Sequence, residues 1–293
     1  MCYNAFVSRG ETMKKNMKLN IKTTLCISFS LIIALLAGLF AGNWINNTLF
    51  PKNAYLNING DDLRDNLTAI STNGKTPDKF SGALAFQIAE ENLMNSTKYK
   101  VVGQGTIETS AGVSQTSYTE DIRDGDSLYI GFTTYSSIIK ASKQAHYNLN
   151  GDIEMYSGTP TDSGLKNVKW GDATTYTWEG YKDAFGKYAN RNCCYVVSTK
   201  TVIEDSGFSK DNGLYKCYLE LDPVLGGSNY IKQVGTNMGV DYKQVVFNRI
   251  YLTFWLSENF QFVKIEKFES FTVPYAGIEL TLNSTITTNF DIS

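Results

Sequence analysis

One histidine, His146, stands in the 293-residue chain, beside five cysteines. A single imidazole rules out any site that needs two histidine ligands and leaves little room for zinc chemistry. A Ser–His–Asp or Cys–His system would have to use His146. It lies in KQAHYNLNG, which reads as a strand or turn, and no GxSxG elbow occurs to supply a nucleophile. A hydrogen-bonded structural histidine is the reading that the residues favour. The paired acids Asp61-Asp62, Glu90-Glu91, Asp124/Asp126 and Glu204-Asp205 do not form a glycosidase pair. Neighbouring acids in a helix point apart, and Asp124-Gly125-Asp126 is explained by a turn. DIRDGD lacks EF-hand spacing, and there is no Walker A or GxGxxG motif. The residues give no catalytic group, no metal site and no cofactor, and the expectation is a protein that is not an enzyme.

Cys193, Cys194 and Cys217 follow the apolar N-terminal segment, and an odd number cannot pair fully within one chain. If Asn212-Gly213 is a hairpin turn, Cys217 faces about Phe208. Cys194 then lies about 45 Å of extended chain away, whereas a disulfide needs Cα atoms within about 7 Å. Free, partly buried thiols are expected, with a strained vicinal Cys193–Cys194 bridge as the alternative.

The next question is what holds such residues. Thr23 to Ile45 contains no charged residue and as a helix would extend about 34 Å, enough to span a hydrocarbon core of about 30 Å. Residues 1–22 carry Arg9 and four lysines against Glu11, net +4, which leaves −6 for the remainder of a chain with net charge −2. The positive-inside rule then places 1–22 in the cytoplasm as a basic tail, 23–45 across the membrane, and the rest outside. A cleaved signal peptide would want small residues at −3 and −1, and Leu39 or Phe40 falls at −3. Cys26 lies too early for a lipidation site. Met13 begins a second basic start, MKKNMK. A mildly acidic outer part is a poor match for nucleic acid, which selects clustered Lys and Arg.

Residues 46–75 read as a tether with a short helix, in which Leu63, Leu67 and Ile70 line one face. Residues 76–293 read as one β-rich domain. Thr76-Pro77-Asp78 predicts a helix start, with Phe80, Ala83, Leu84, Gln87 and Ile88 at helical spacing up to about Met94. Strands are predicted over Tyr99–Thr109, Val113–Arg123 and Ser127–Thr134, with a two-residue turn at Asp124-Gly125. A further hairpin at Asn150-Gly151 sets Tyr147 and Leu149 against Ile153 and Met155. Thr159–Asp172 reads as turn-rich, Trp178–Tyr188 and Ser228–Met238 as helices, and Tyr195–Asp205 and Leu214–Leu221 as strands. Val246–Leu256 alternates most clearly, with Ile250, Leu252, Phe254 and Leu256 on one face. Phe260–Ser270 and Ile278–Phe290 close the chain. The fold class expected is α+β, mainly β: one strongly curved antiparallel sheet, a half-barrel, with helices packed on one face.

That order of helix, meander, the hairpin GLYKCYLELD, a helix at NYIKQV and the closing NRIYLTFWLSENFQFVKIEKF resembles the bacterial lipoprotein-carrier superfamily. It includes the periplasmic lipoprotein chaperones and the mycobacterial lipid-binding lipoproteins. The similarity covers roughly Thr76 to Phe290 and is one of pattern; the family has no short signature from which a site residue could be carried over. It implies an acyl chain held between a concave sheet and its helices, although this chain has a transmembrane segment in place of a lipidation cysteine. The expected lining is Phe80, Leu84 and Ile88 of the helix with Ile250, Leu252, Phe254 and Leu256 of the strand. The function expected is a membrane-anchored, non-catalytic protein that binds an apolar or amphiphilic ligand or an envelope partner. The alternative is an interaction or adhesion module with a solid core.

Overall fold

A computed structural model describes residues 58–137, 140–148, 151–191, 195–275 and 277–293. The tail at 1–22, the apolar segment at 23–45, and Cys193 and Cys194 lie outside the described residues. Two units divide the chain: Pro51–Val273 with Leu280–Ser293, and Met1–Phe50 with Pro274–Glu279. The first holds the domain. Of the second, the described residues form the ends of two strands, where Tyr275 and Ile278 are exposed.

Eleven strands form one sheet: β1 Lys98–Thr109, β2 Ser114–Asp124, β3 Ser127–Tyr135, β4 Lys140–Asn148, β5 Ile153–Pro160, β6 Val168–Tyr176, β7 Val202–Asp211, β8 Leu214–Leu221, β9 Val246–Leu256, β10 Phe262–Tyr275 and β11 Ile278–Ile292. Their order is β6-β5-β4-β3-β2-β1-β11-β10-β9-β8-β7. The sheet is not closed, and β6 and β7 are its edges. It consists of two meanders, β1–β6 and β7–β11, joined where β1 pairs antiparallel with β11 from Tyr99↔Ile292 to Thr109↔Leu282. Short turns between successive strands allow only antiparallel pairing. Asn212 and Gly213 both take positive φ, 51° and 83°, the geometry of the tight turn that Asn-Gly favours, and Asp211 pairs with Leu214 across it.

Directly paired residues share a face, so the registers define two faces throughout the sheet. One carries the core: Tyr99 and Val101 of β1, Leu128, Ala145, Tyr147, Ile153 and Met155 of β3–β5, and Leu219, Ile250, Leu252, Phe254 and Leu256 of β8–β9 are all buried. The helices α1 Gly82–Asn95, α2 Trp178–Phe185, α3 Pro223–Gly227 and α4 Tyr230–Met238 meet this face. Phe86 of α1 packs its ring on Phe254 and Phe262 with centroids 5.3 and 5.0 Å apart. Trp178 of α2 meets Tyr147 at 5.0 Å, and Tyr230 of α4 stacks on Phe247 at 5.2 Å.

Several elements differ from the sequence reading. Pro77–Lys79 forms its own 3-10 turn, Phe80 is extended, and α1 begins at Gly82 with the Ser81 hydroxyl accepting from Leu84 N–H. The cause is tertiary: Asp205 Oδ2 accepts the Gly82 N–H at 2.7 Å, and Phe80 swings out against Phe260, 5.5 Å between rings. A Cβ at Gly82 would lie 2.5 Å from Cys217 Sγ, so this approach needs glycine. The Thr159–Asp172 stretch contains the start of edge strand β6, and Thr161 and Asn167 close the turn before it. Tyr195–Thr201 is not strand. Thr201 Oγ1 accepts from Ser198 N–H and donates to Val196 O, and Val196 N–H donates to Gly226 O; buried polar groups are satisfied locally, without a ladder. The β2–β3 turn sits on Gly125-Asp126, one residue later than read, and Met155 faces Ala145 instead of Tyr147.

The stretch read as tether and short helix packs onto the domain from residue 58 on. Gly60–Leu63 is a 3-10 turn, and Leu67 and Ile70 lie against the core. Asp61 pairs with Lys182 at 2.8 Å, and Asp65 accepts from Gln87 and Thr199, each at 2.8 Å. Arg64 and Arg191 both reach Oε2 of buried Glu90, at 2.7 and 2.6 Å. Two guanidinium groups around one carboxylate keep the buried charge compensated.

Candidate functional site

Three places concentrate chemistry. The first is the face between sheet and helices, where the sequence reading put a ligand. Ile250, Leu252, Phe254 and Leu256 are there, each 1 % exposed or less. Phe254 is surrounded by the rings of Phe86, Phe262 and Phe208. Ile88 is buried with Phe86 on α1, Phe80 is half-buried beside Phe260, and Leu84 is half-buried on the flank of the helix. Helical spacing alone does not say which stripe faces the sheet; Phe86, Ala85, Ala89 and Leu93 form the buried stripe.

The second is a buried polar cluster on the same face. Glu269 of β10 is 3 % exposed. The Tyr195 hydroxyl donates to its Oε2, the Tyr230 hydroxyl donates to Oε1 at 3.4 Å, and Lys267 Nζ lies 3.4 Å from Oε1. Burial pushes the Glu269 carboxyl up to about 8. The Lys267 ammonium also lies over the rings of Tyr195 and Tyr230, at 5.6 and 5.5 Å. Tyr195 and Tyr230 close over the cluster with rings 4.9 Å apart. This is an enclosed, satisfied network.

The third is a groove of about 660 Å³ on β2–β6. Its floor is a row of directly paired residues across five strands: Ile122↔Tyr129, Tyr129↔His146, His146↔Glu154 and Glu154↔Thr175. Tyr147 and Leu128, their chain neighbours, point to the core, so the row faces away from the helices. Asp124, Ser127 and Asp152 stand at its end. The rings of Tyr129 and His146 are 5.4 Å apart, and Tyr156 meets His146 edge-on at 5.9 Å. The Tyr156 hydroxyl donates to Glu154 Oε2 at 3.0 Å and orients that carboxylate. Burial, followed by the nearby Glu120 charge, pushes the Tyr129 hydroxyl up to about 12, so it stays a neutral phenol.

His146 thus lies in the groove, with the Gln144 amide against its ring. Among the described residues no hydroxyl or thiol nucleophile is hydrogen-bonded to it. Ser127 lines the same groove but pairs with Asn148, a diagonal step away, about 7–8 Å on such a ladder. Among the described residues no group of three His, Cys, Asp or Glu converges as metal ligands. Cys217 faces Phe208, as its spacing from the Asn-Gly turn requires. It is buried, donates to Asp205 Oδ1 at 3.4 Å, and is pushed up to about 12 by burial and then by Asp205, which leaves it a poor nucleophile.

Of the groove residues, the sequence reading weighed His146 and Asp124 for chemistry, and it explained Asp124 by a turn. Ile122, Tyr129, Glu154 and Asp152 were missed. The available signal was period 2 on either side of two turns: with the β3–β4 and β4–β5 turns placed, Tyr129, His146 and Glu154 fall on one row.

No protein-family model matches the chain, and no curated protein matches it. Solved structures similar to it include a DUF1329 family protein from Desulfovibrio piger, 10% identical, covering 74% of this chain and 92% of that one with a TM-score of 0.26. A LolA superfamily protein from Nitrosomonas europaea is 8% identical and covers 73% of this chain and 94% of that one, with a TM-score of 0.25. TM-scores of this size carry no argument about the site, which rests on the geometry above.

Proposed function

We propose that this chain is a non-catalytic binding protein, held at the outer face of a membrane by residues 23–45, that takes an amphiphilic ligand in the groove of β2–β6. The groove itself is the observation that carries the reading. Its volume is on the scale of small-molecule sites, about 300–1,000 Å³. Its floor mixes apolar Ile122 and the Tyr129 ring with polar His146, Glu154 and Thr175. Such a lining suits a ligand with one apolar and one polar part. The wide sheet is expected to curve as a half-barrel about its helices, which would leave the groove on the outward side.

The test is native mass spectrometry of the full chain purified from its own host. A copurified amphiphile is expected with the native protein and absent from Ile122→Asp, which sets a carboxylate on the apolar stretch of the floor. A protein free of ligand in both forms sinks this reading. Placement is tested separately by adding protease to intact cells, or to protoplasts if there is a wall. The C-terminal domain should be degraded and the N-terminus spared.

A second reading, an interaction module with a solid core, draws support from the filled packing of Phe86 against Phe254 and Phe262. It predicts a bound protein partner and no small ligand.

A further inference from the structure

The groove also carries an electrostatic asymmetry that narrows what it can hold. Asp124, Asp152 and Glu154 line it, and among the described residues no Lys or Arg does. Two cations flank the row on β1: Lys98, which pairs directly with Asp124 and offsets its charge, and Lys100, which pairs with Ile122 across β1 and β2. The Lys100 ammonium is committed to Glu120 at 2.8 Å, one step further along the outer face. An anionic ligand would therefore meet Asp152 and Glu154, beside which no described Lys or Arg lines the groove. The carboxylates do not converge on one point as metal ligands do, so a small divalent ion is also a poor match. Beside them stand aromatic rings, Tyr129 against His146 and His146 against Tyr156. Aromatic faces next to diffuse negative charge attract bulky organic cations, because ring quadrupole and carboxylate field add.

We infer that the polar part of the ligand is an organic cation, a trialkylammonium or protonated amine. Its charge sits between Glu154, Asp152 and the Tyr129 ring, and its apolar remainder lies along Ile122. The inference rests on the groove being a ligand site, and it adds the sign of the headgroup. Glu154 is the residue best placed for the contact, since the Tyr156 hydroxyl holds its carboxylate at 3.0 Å without neutralising it.

The experiment is a calorimetric titration of the full chain in nanodiscs, with empty nanodiscs as blank. Choline is the probe, and 3,3-dimethylbutan-1-ol, its uncharged isostere, is the comparator. Both are water-soluble, which limits background from the bilayer. Choline should bind saturably and at least tenfold more tightly than the isostere. Raising the salt concentration should narrow the gap. Asp152→Asn with Glu154→Gln should weaken choline about tenfold and leave the isostere unchanged. Tyr129→Leu should weaken choline as well. Circular dichroism of each variant confirms that it folds, which these outward positions should permit.

Equal binding of choline and isostere overturns the inference, as does choline binding that ignores the paired variant or is displaced by a neutral sugar. If an amphiphile still copurifies with the native chain, the cation falls alone and the ligand-binding reading stands. If no probe binds and nothing copurifies, both fall.

Discussion

The two faces of the sheet show opposite uses of the same alternating strands. On the helix face, β8–β10 bury Leu219, Ile250, Leu252, Phe254 and Phe262, and the Phe86 ring of α1 meets those of Phe254 and Phe262. On the far face of β2–β6, the same period 2 brings Ile122, Tyr129, His146, Glu154 and Thr175 into a row that nothing from the helices covers. The first face spends its residues on burial, which stabilises at about 25 cal/mol per Å² of apolar surface. The second leaves aromatic and acidic side chains available to a ligand. Stability and the proposed recognition are thus separated by one residue along each strand.

That separation can be broken at the core with the largest effect. Phe254→Ala and Phe86→Ala should each destabilise by about 3–5 kcal/mol, the usual cost of removing a buried ring. Urea unfolding of the full chain in nanodiscs, followed by near-ultraviolet circular dichroism, measures it. Leu84→Asp sharpens the same point. Leu84 is only half-buried, so its aspartate should cost clearly less than one at buried Ile88. Equal costs would mean that α1 is rotated from the orientation described.

A comparable loss is expected at the ion cluster that fastens residues 58–70 to the domain. Glu90→Ala removes the carboxylate that Arg64 and Arg191 share but leaves them Asp61 and Glu91 at 3.7 and 3.4 Å, so the cost should fall at the lower end of the about 3–5 kcal/mol of an orphaned buried charge. Limited proteolysis should then cut first within 58–75. Cleavage elsewhere would show that this segment is held by its apolar contacts at Leu67 and Ile70.

Glu269 offers a pH-dependent effect. Its folded-state value is raised, from an ordinary 4.5 to about 8, by burial. The folded protein therefore holds this proton more tightly than the unfolded chain does. The stabilising contribution is full below about pH 4.5 and is lost as pH rises through about 8. Unfolding midpoints should fall across that window in the native chain, and Glu269→Gln should flatten the fall. A variant with the same slope as the native protein would show that Glu269 does not titrate there.

The smallest effect on stability belongs to the groove. Tyr129→Leu and His146→Ala face away from the core and should each cost about 1 kcal/mol or less. The same changes should remove most ligand binding. A groove variant that unfolds the protein would erase the contrast between the faces.

Much of the fold was legible in the sequence, because it is set by local geometry. Alternation in Val246–Leu256 placed Ile250, Leu252, Phe254 and Leu256 in the core, although Phe247 and Trp255 are buried as well. Asn212-Gly213 fixed its turn and, through it, the pairing of Cys217 with Phe208. The start of α1 was not legible. Thr76-Pro77 is a sound local start signal, but Asp205 lies 123 residues from Gly82 and takes its N–H. Nor did the sequence show that Tyr195–Thr201, apolar enough for a strand, satisfies its polar groups through Thr201 and the distant Gly226 carbonyl.

The sequence by itself determined the uncharged span at 23–45, the antiparallel meanders and the shortage of catalytic groups, since each follows from residue type and near-neighbour spacing. Only the tertiary structure decided that β1 closes on β11, which joins two meanders into one sheet of eleven strands. It also decided which side of that sheet the helices take. Helix side chains settle where the apolar surface buried is greatest, and that sum runs over residues far apart in the chain. The row from Ile122 to Thr175 became a groove because the helices packed on the other side.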